Sequence, residues 1–293
     1  MRLPGFVFNR IIRHQARFDR IATDRYTIRV ARTLEEYESA FRLVHISYAY
    51  LGIEPMRPVD LRVTEQHALR EAIVLVAYEA GQPVGTITVT GDSPAGLPLD
   101  ADYPMELSDL RSSGARLAEI GSFAVVGRCR KSGVALLLAL AATRVAFRTL
   151  SASHIVLGIN PHASRMYRAI WGFERLGAPR DHASLRAPVA GHVVSRERLL
   201  SHVRTHFPRP MASGKVAEAH LMNGPPLPCV SVPNDSLNPD LSEFKMPREV
   251  FRALFINDGE RWSRLSANTR AHVKRQRTEE TLRATLQLLR KVV

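Results

Sequence analysis

The stretch LAEIGSFAVVGRCRKSGVALLLALAATRVAF, residues 117–147, decides the fold. Its first part, LAEIGSFAVV, is rich in strand formers, and period-two alternation places Glu119 on one face with Leu117, Gly121 and Phe123. Its last part predicts an apolar helix over Val134 to Leu150. Between them lies RKSGVA, residues 130–135, a short basic glycine loop. Such a loop, opening a helix, presents unpaired backbone N–H groups at the positive end of the helix dipole, which suits phosphate oxygens. Arg128, Arg130 and Lys131 add charge beside it.

Downstream, HIVLGIN (residues 154–160) reads as a strand, followed by a helix that starts at Asn160 and Pro161 and carries Tyr167. Upstream, AIVLVAYEAGQPVGTITVT (residues 72–90) predicts a hairpin that turns at Gly81, with Pro83 entering its second strand. Thr33 and Glu36 form a capping box for a helix to Tyr50 whose apolar face carries Tyr37, Phe41, Val44 and Tyr48. Residues 91–115 loosen into prolines and glycines with one helical piece near Met105 to Arg111, an insertion between two strands.

Between His206 and Pro247 lie eight of the eighteen prolines, which predicts a linker or an extended wrapping segment. Helices are expected beyond it over Arg248 to Leu265 and Thr278 to Val293, the latter with Leu282, Leu286, Leu289 and Val293 on one face. Four regions follow: a basic amphipathic segment over 1–24, an α/β domain over 25–205, the proline-rich stretch 206–247 and a helical C-terminal extension over 248–293.

No stretch approaches the roughly 18 uninterrupted apolar residues of a membrane span, and Arg10 and Arg13 interrupt any signal-peptide core, so a cytoplasmic protein is expected. Cys129 and Cys229 are the only cysteines, too few for a disulfide framework or a zinc site, and no metal is expected. The net charge of +13 favours acidic partners without choosing among them. No helix-turn-helix, zinc-finger or aromatic RNA-binding motif accompanies that charge.

With the loop, the strand HIVLGIN and the run MYRAIWGFERLG (residues 166–177) in place, the chain resembles the GNAT superfamily of N-acyltransferases over about residues 25–200. That superfamily's loop reads Arg or Gln, two residues, Gly, one residue, then Gly or Ala, places filled here by Arg130, Gly133 and Ala135. The resemblance implies a GNAT fold: a central mixed, mostly antiparallel sheet, splayed where the acyl donor enters, with flanking helices. It implies a donor cradle of Val125, Val126, Arg128, Arg130, Lys131, Ser132, Gly133, Val134 and Ala135, with Asn160 nearby.

It also implies that Tyr167 hydrogen-bonds the departing thiolate. The chemistry is sound, because a phenol near pKa 10 stays protonated beside a thiol near 8.5. Glu119, a carboxylate amid apolar residues, is the expected general base for an ammonium nucleophile, with a salt bridge to an arginine as its other reading. His162 is a weaker alternative.

Residues 91–118, the glutamate strand AEIGSFAV and the run NPHASRMYRAIWGF resemble the long-chain N-acyl amino acid synthases of the FeeM-like group and, more distantly, LuxI-type autoinducer synthases. Ser122 stands where autoinducer synthases usually carry arginine. The implied reaction moves a fatty acyl group from acyl carrier protein or acyl-CoA to the α-amine of an amino acid, with no permanently bound cofactor. Acyl carrier protein and the amino acid are the implied partners, with peripheral contact at the inner membrane face.

Candidates to hold the acceptor carboxylate are Arg57, Arg62, Arg70 and Arg111. Leu97, Leu99, Met105 and Leu107 are candidates to line an acyl tunnel. Two other readings stand beside this one: an acetyl-CoA-dependent GNAT acting on a small amine or a protein, and a non-catalytic basic scaffold for nucleic acid or an anionic membrane.

Overall fold

A tight hairpin lies at the centre of the sheet. β2 (Ala72–Glu79) and β3 (Gln82–Gly91) pair antiparallel across a two-residue turn. Ala80 and Gly81 both take positive φ, the conformation that a twist-matched hairpin turn demands. β2 is buried along most of its length, so it reads as a continuous apolar run rather than an alternating one.

Working outward from the N-terminus, the chain forms α1 (Gly5–Gln15), β1 (Thr27–Val30) and α2 (Leu34–Tyr50) before the hairpin, then α3 (Pro104–Ser112) in the insertion. β4 (Leu117–Val125), α4 (Val134–Arg144), β5 (His154–Ile159) and α5 (Ser164–Trp171) follow. Short strands β6 (Glu174–Arg175) and β7 (Arg180–Asp181) lead to β8 (Pro188–Ser195) and α6 (Arg196–His206). The remainder is α7 (Ala217–Leu221), β9 (Val230–Ser231), α8 (Arg248–Phe251), α9 (Gly259–Arg264) and α10 (Ala267–Val292). This computed structural model describes residues 5–16, 21, 23–56, 60–182, 185–211, 214–221, 227, 229–232 and 244–292, with 5–8 and 280–292 described by backbone alone.

The strands form one mixed, mostly antiparallel sheet in the order β6-β8-β5-β4-β3-β2-β1-β9, with β7 paired to β8. Among the described strands only β4 with β5 and β1 with β9 run parallel. α4 packs on one face, with Leu137, Leu138 and Ala141 among Ile28, Leu75, Val84 and Ile87. Gly85 permits the approach, since a Cβ there would meet the Leu138 side chain at 2.9 Å. α2 covers part of the other face, where Tyr37 and Phe41 share a core with Val74, Val76, Phe251, Phe255 and Val273. The C-terminal helices are therefore packed against α2 and β2.

The capping box of α2 is present as expected, Thr33 accepting from the Glu36 N–H and Glu36 reaching back to the Thr33 N–H. The helix expected over Arg248 to Leu265 is divided into α8 and α9 by a π-turn over Arg252–Ile256, and three boundaries also differ from expectation. α4 stops at Arg144 and a π-turn over Val145–Thr149 completes the segment. A 3-10 turn, Pro161–Ala163, precedes α5, with the Asn160 side chain capping it. α10 begins at Ala267, eleven residues before the start expected at Thr278. Of the proline-rich stretch, β9 adds to the sheet edge beside β1. Among the described residues no helix is long and apolar enough to cross a membrane.

Candidate active site

β4 and β5 pair only over Leu117–Glu119 against His154–Val156. Past that point β4 bulges: Thr86 faces Ala124 and Thr88 faces Gly121, leaving Ser122 and Phe123 out of the ladder, and Ser122 takes φ +47°. A bulge adds twist and bends its strand. The two parallel strands therefore splay into a wedge. The expected alternation ends at the bulge, and Phe123 packs with the main core and lines an apolar cavity beside Ile120.

Two cavities meet in the wedge. The apolar one, about 370 Å³, lies between β4, α4 and α5. The polar one, about 610 Å³, lies under the insertion and the turn before β2. Tyr48, Gly121, Ser122, Gly158, Leu185 and Val189 line both. Gly158 keeps the junction narrow, because a Cβ there would sit 2.8 Å from the Val189 side chain and 3.0 Å from that of Leu99.

Glu119 projects into the polar cavity from the last paired position of β4. It is 7% exposed, and its Oε2 accepts from the Leu99 N–H at 2.8 Å. Burial pushes its pKa up to about 8, the Leu99 N–H pulls it back, and Asp100 and Asp102 raise it further. Among the described residues Glu119 has no arginine or lysine partner, so the salt-bridge reading of this residue fails.

Tyr48 stands at the junction, with its phenol raised by burial, lowered by Arg62 and raised by Glu119. Tyr167 lines the apolar side, its ring edge-on to Phe173, and burial pushes its pKa up to about 12. A tyrosine so placed donates a hydrogen bond and resists giving up its proton. Tyr48 lines both cavities, with Glu119 on the polar side and Tyr167 on the apolar side. In sequence Tyr48 is indistinguishable from the core stripe of α2, and its place at the helix end exposes it to the cavities.

The loop takes its expected shape. Gly133 caps α4 with φ +91°, a left-handed conformation that glycine adopts at no steric cost. Ala135 and Asn160 line the apolar cavity. Val125, Val126 and Val134 pack into the main core instead. Arg128 lies 3.7 Å from Glu79, Arg130 stacks on Tyr50 at 5.0 Å, and the Ser132 hydroxyl donates to the Cys129 carbonyl at 2.7 Å. Arg128, Arg130 and Lys131 are exposed around the loop.

Of the arginine candidates, Arg62 lines the polar cavity, paired with Glu54 and stacked on Tyr48 at 4.7 Å. Arg111 is held instead by four hydrogen bonds to Asp92 and Asp100, between 2.6 and 2.9 Å, which tie the insertion together. Arg70 lines a different cavity, and Arg57 lies outside the described residues. Leu97 and Leu99 line the polar cavity, whereas Met105 is 76% exposed and Leu107 is buried in a small core under the insertion. His162 is exposed and lines neither cavity. Gln66, which donates to the Ser122 hydroxyl at 3.0 Å, joins the polar wall without any signal in the sequence. No group of described residues has the makings of a metal site.

Residues 39–194, from α2 to β8, match a family model described as N-acyl amino acid synthase FeeM. The solved structure of FeeM, an N-acyl amino acid synthase from uncultured soil microbes, is 23% identical, covers 61% of this chain and 95% of its own, and superposes with a TM-score of 0.53. BjaI, a CoA-dependent acyl-homoserine lactone synthase, is 14% identical over 74% of this chain and 96% of its own, with a TM-score of 0.47. An acyl-CoA N-acyltransferase from Pseudomonas aeruginosa is 18% identical over 58% of this chain and 98% of its own, with a TM-score of 0.39. Among curated proteins none matches. The likeness to FeeM is one of fold, a splayed mixed sheet with flanking helices.

Proposed function

This chain belongs to the FeeM family of N-acyl amino acid synthases, and from that premise we propose that it transfers a long-chain fatty acyl group from a phosphopantetheine thioester to the α-amine of an amino acid. It is an acyltransferase. The observation that carries the finer reading is the junction of an uncharged cavity with a polar one beside a buried carboxylate. The thioester enters through the wedge with its acyl chain on the apolar side. The amino acid occupies the polar side with its carboxylate toward Arg62 and its amine toward Glu119.

An α-amine near pKa 8 is about one-tenth neutral at pH 7, and only the neutral form attacks. Glu119 at about 8 matches it, so proton transfer between them is close to thermoneutral. The nitrogen then adds to the thioester carbon, and the oxyanion is met by backbone N–H groups at the bulge of Ser122 and Phe123. As the C–S bond breaks, the thiolate leaves with a hydrogen bond from Tyr167. The added nitrogen gives up its second proton to the departing sulfur, and the proton first taken by Glu119 is released to water, so that amide, thiol and one solvent proton complete the cycle.

Acyl carrier protein fits the net charge of +13 as donor, and acyl-CoA, also polyanionic, is the other. In this reading the catalytic unit is residues 25–205, working in the cytoplasm where both donors are made. The test is product analysis by mass spectrometry, with purified protein, an amino acid mixture, and carrier-bound and CoA-bound donors from acetyl to palmitoyl. N-acyl amino acids formed only from the longer donors are expected. Efficient transfer of acetyl to amines other than amino acids would replace this reading with the acetyl-CoA one.

A further inference from the structure

The walls of the polar cavity carry more negative charge than the proposed chemistry uses. Glu65, Asp100, Asp102 and Glu119 are among its described lining residues, against Arg62 and His182. Arg62 is paired with Glu54. Two of the carboxylates are occupied within the protein. Asp100 is held by Arg111 at 2.7 Å. Glu65 accepts from the N–H and the hydroxyl of Ser266, at the start of α10, where the helix dipole favours an anion. With Glu119 assigned to the acceptor amine, Asp102 is left over.

Asp102 is 9% exposed, and among the described residues its carboxylate accepts no hydrogen bond. The His182 Nε2 lies 3.8 Å from it, beyond hydrogen-bond distance. Arg180 donates to the Asp102 backbone carbonyl, and its own charge is met by Glu106. A carboxylate taken out of water is costly unless it is paired and hydrogen-bonded. Beyond the burial that dominates the raised pKa of Glu119, Asp100 and Asp102 push it further up, so their charge reaches the place of the reacting amine.

Two neutral groups on the same walls are also open. Thr269, in the first turn of α10, is 2% exposed and lines the cavity, and its hydroxyl has no hydrogen-bond partner among the described residues. Gln66 gives its amide N–H to Ser122, and its carbonyl oxygen accepts from no described residue. Buried polar groups are as a rule hydrogen-bonded, so acceptors left open around one hollow indicate a ligand rich in N–H donors. The start of α10 is fixed to the insertion, since the Asn268 Nδ2 donates to the Pro94 carbonyl at 2.9 Å.

On the reading that this cavity receives the acceptor, we propose that the acceptor amino acid carries a cationic side chain, an ammonium or guanidinium group whose counter-charge is Asp102 and whose other N–H groups meet Gln66 and Thr269. The α-carboxylate keeps Arg62 and the α-amine keeps Glu119, so each charge of a basic amino acid finds an opposite group. An aliphatic or aromatic side chain would leave Asp102 buried and unpaired, and an acidic one would meet like charge. At about 610 Å³ the cavity has room for a long basic side chain. Thr269 lies beyond residues 39–194, which gives α10 a part in acceptor choice that the family match does not cover.

The experiment is calorimetric titration of the full chain with free arginine and with citrulline, a neutral amino acid of nearly the same shape, followed by acyl transfer from a palmitoyl donor to each. Arginine is expected to bind at least about tenfold more tightly and to be acylated with at least about tenfold higher kcat/KM, the order of one charged hydrogen bond. Asp102→Asn removes the charge at nearly equal volume, and the ratio of arginine to citrulline should fall toward one in both measurements. Asp102→Ser serves as the second variant. Equal affinity for the two amino acids, which needs no variant to detect, or a ratio unchanged by loss of the Asp102 charge would overturn the proposal. Transfer to neutral amino acids without preference for arginine would overturn it and leave the acyl-transfer reading standing. Arginine bound through Asp102 but acylated from no donor would do the reverse, and absence of both binding and transfer would overturn both.

Discussion

The polar cavity holds a buried carboxylate whose affinity for a proton has been moved by its surroundings, whereas the apolar cavity across the same wall is lined by no charged residue among those described. Chemistry and selectivity are thereby divided between two sides of one wedge. Substitutions on the polar side should change turnover and its pH dependence. Those on the apolar side should change which acyl chain is accepted.

The largest expected effect is at Glu119. Glu119→Gln should lower turnover by about 10² to 10⁴, the usual contribution of a general base. In the unaltered protein kcat/KM should rise with pH and level off above about 8, where the carboxylate becomes ionised. That rise should vanish in the variant. A variant that keeps more than about a third of the turnover would place the base elsewhere.

Filling the apolar cavity should have the next largest effect and a different signature. Ala139→Trp, on α4, occupies space that the acyl chain requires. Transfer from palmitoyl donors should fall on the order of 10²-fold in kcat/KM while acetyl transfer is retained, within the range that hydrophobic pockets discriminate. Equal losses for both donors would show that the two cavities are not divided in this way.

Tyr167 crosses that division, since it lies on the apolar side and is assigned to the chemistry. Tyr167→Phe should reduce kcat about tenfold, the value of one hydrogen bond to a developing anion, without changing chain-length preference. With the phenol at about 12, no inflection from it should appear between pH 6 and 10. A shift toward shorter donors would make it a wall of the chain pocket instead.

Much of the frame was legible in the residues. Gly81 fixed the hairpin turn, Thr33 and Glu36 fixed the start of α2, and the run 117–147 placed strand, loop and helix in order. What stayed hidden depends on registers between distant strands. The bulge at Ser122 arises from pairing with β3, so alternation put Phe123 on the wrong face. Tyr48 looks like Phe41 until the end of α2 meets the wedge, and Arg111 looks like Arg62 until Asp92 and Asp100 close around it. Gln66 shows no pattern because its turn is held by the buried His67, which accepts from the Thr64 N–H at 3.0 Å and is kept neutral at a pKa of about 3, a contact no periodicity announces.

The smallest effect separates the two sides by stability rather than rate. The folded-state pKa of Glu119 is raised above its unfolded value, so its contribution to stability is fully present at acidic pH and is lost as pH rises through about 8. Glutamine can still accept from the Leu99 N–H but carries no charge to bury. Glu119→Gln should therefore melt close to the parent at about pH 5 and higher by a few °C at about pH 9. Ala139→Trp changes volume and no charge, so its difference in Tm from the parent should be the same at both values. A gap for Glu119→Gln that fails to widen with pH would mean that water reaches the carboxylate in the folded protein and that burial does not set its basicity. A widening gap beside lost turnover would show one buried charge raising reactivity at the expense of stability, as a strained functional site does.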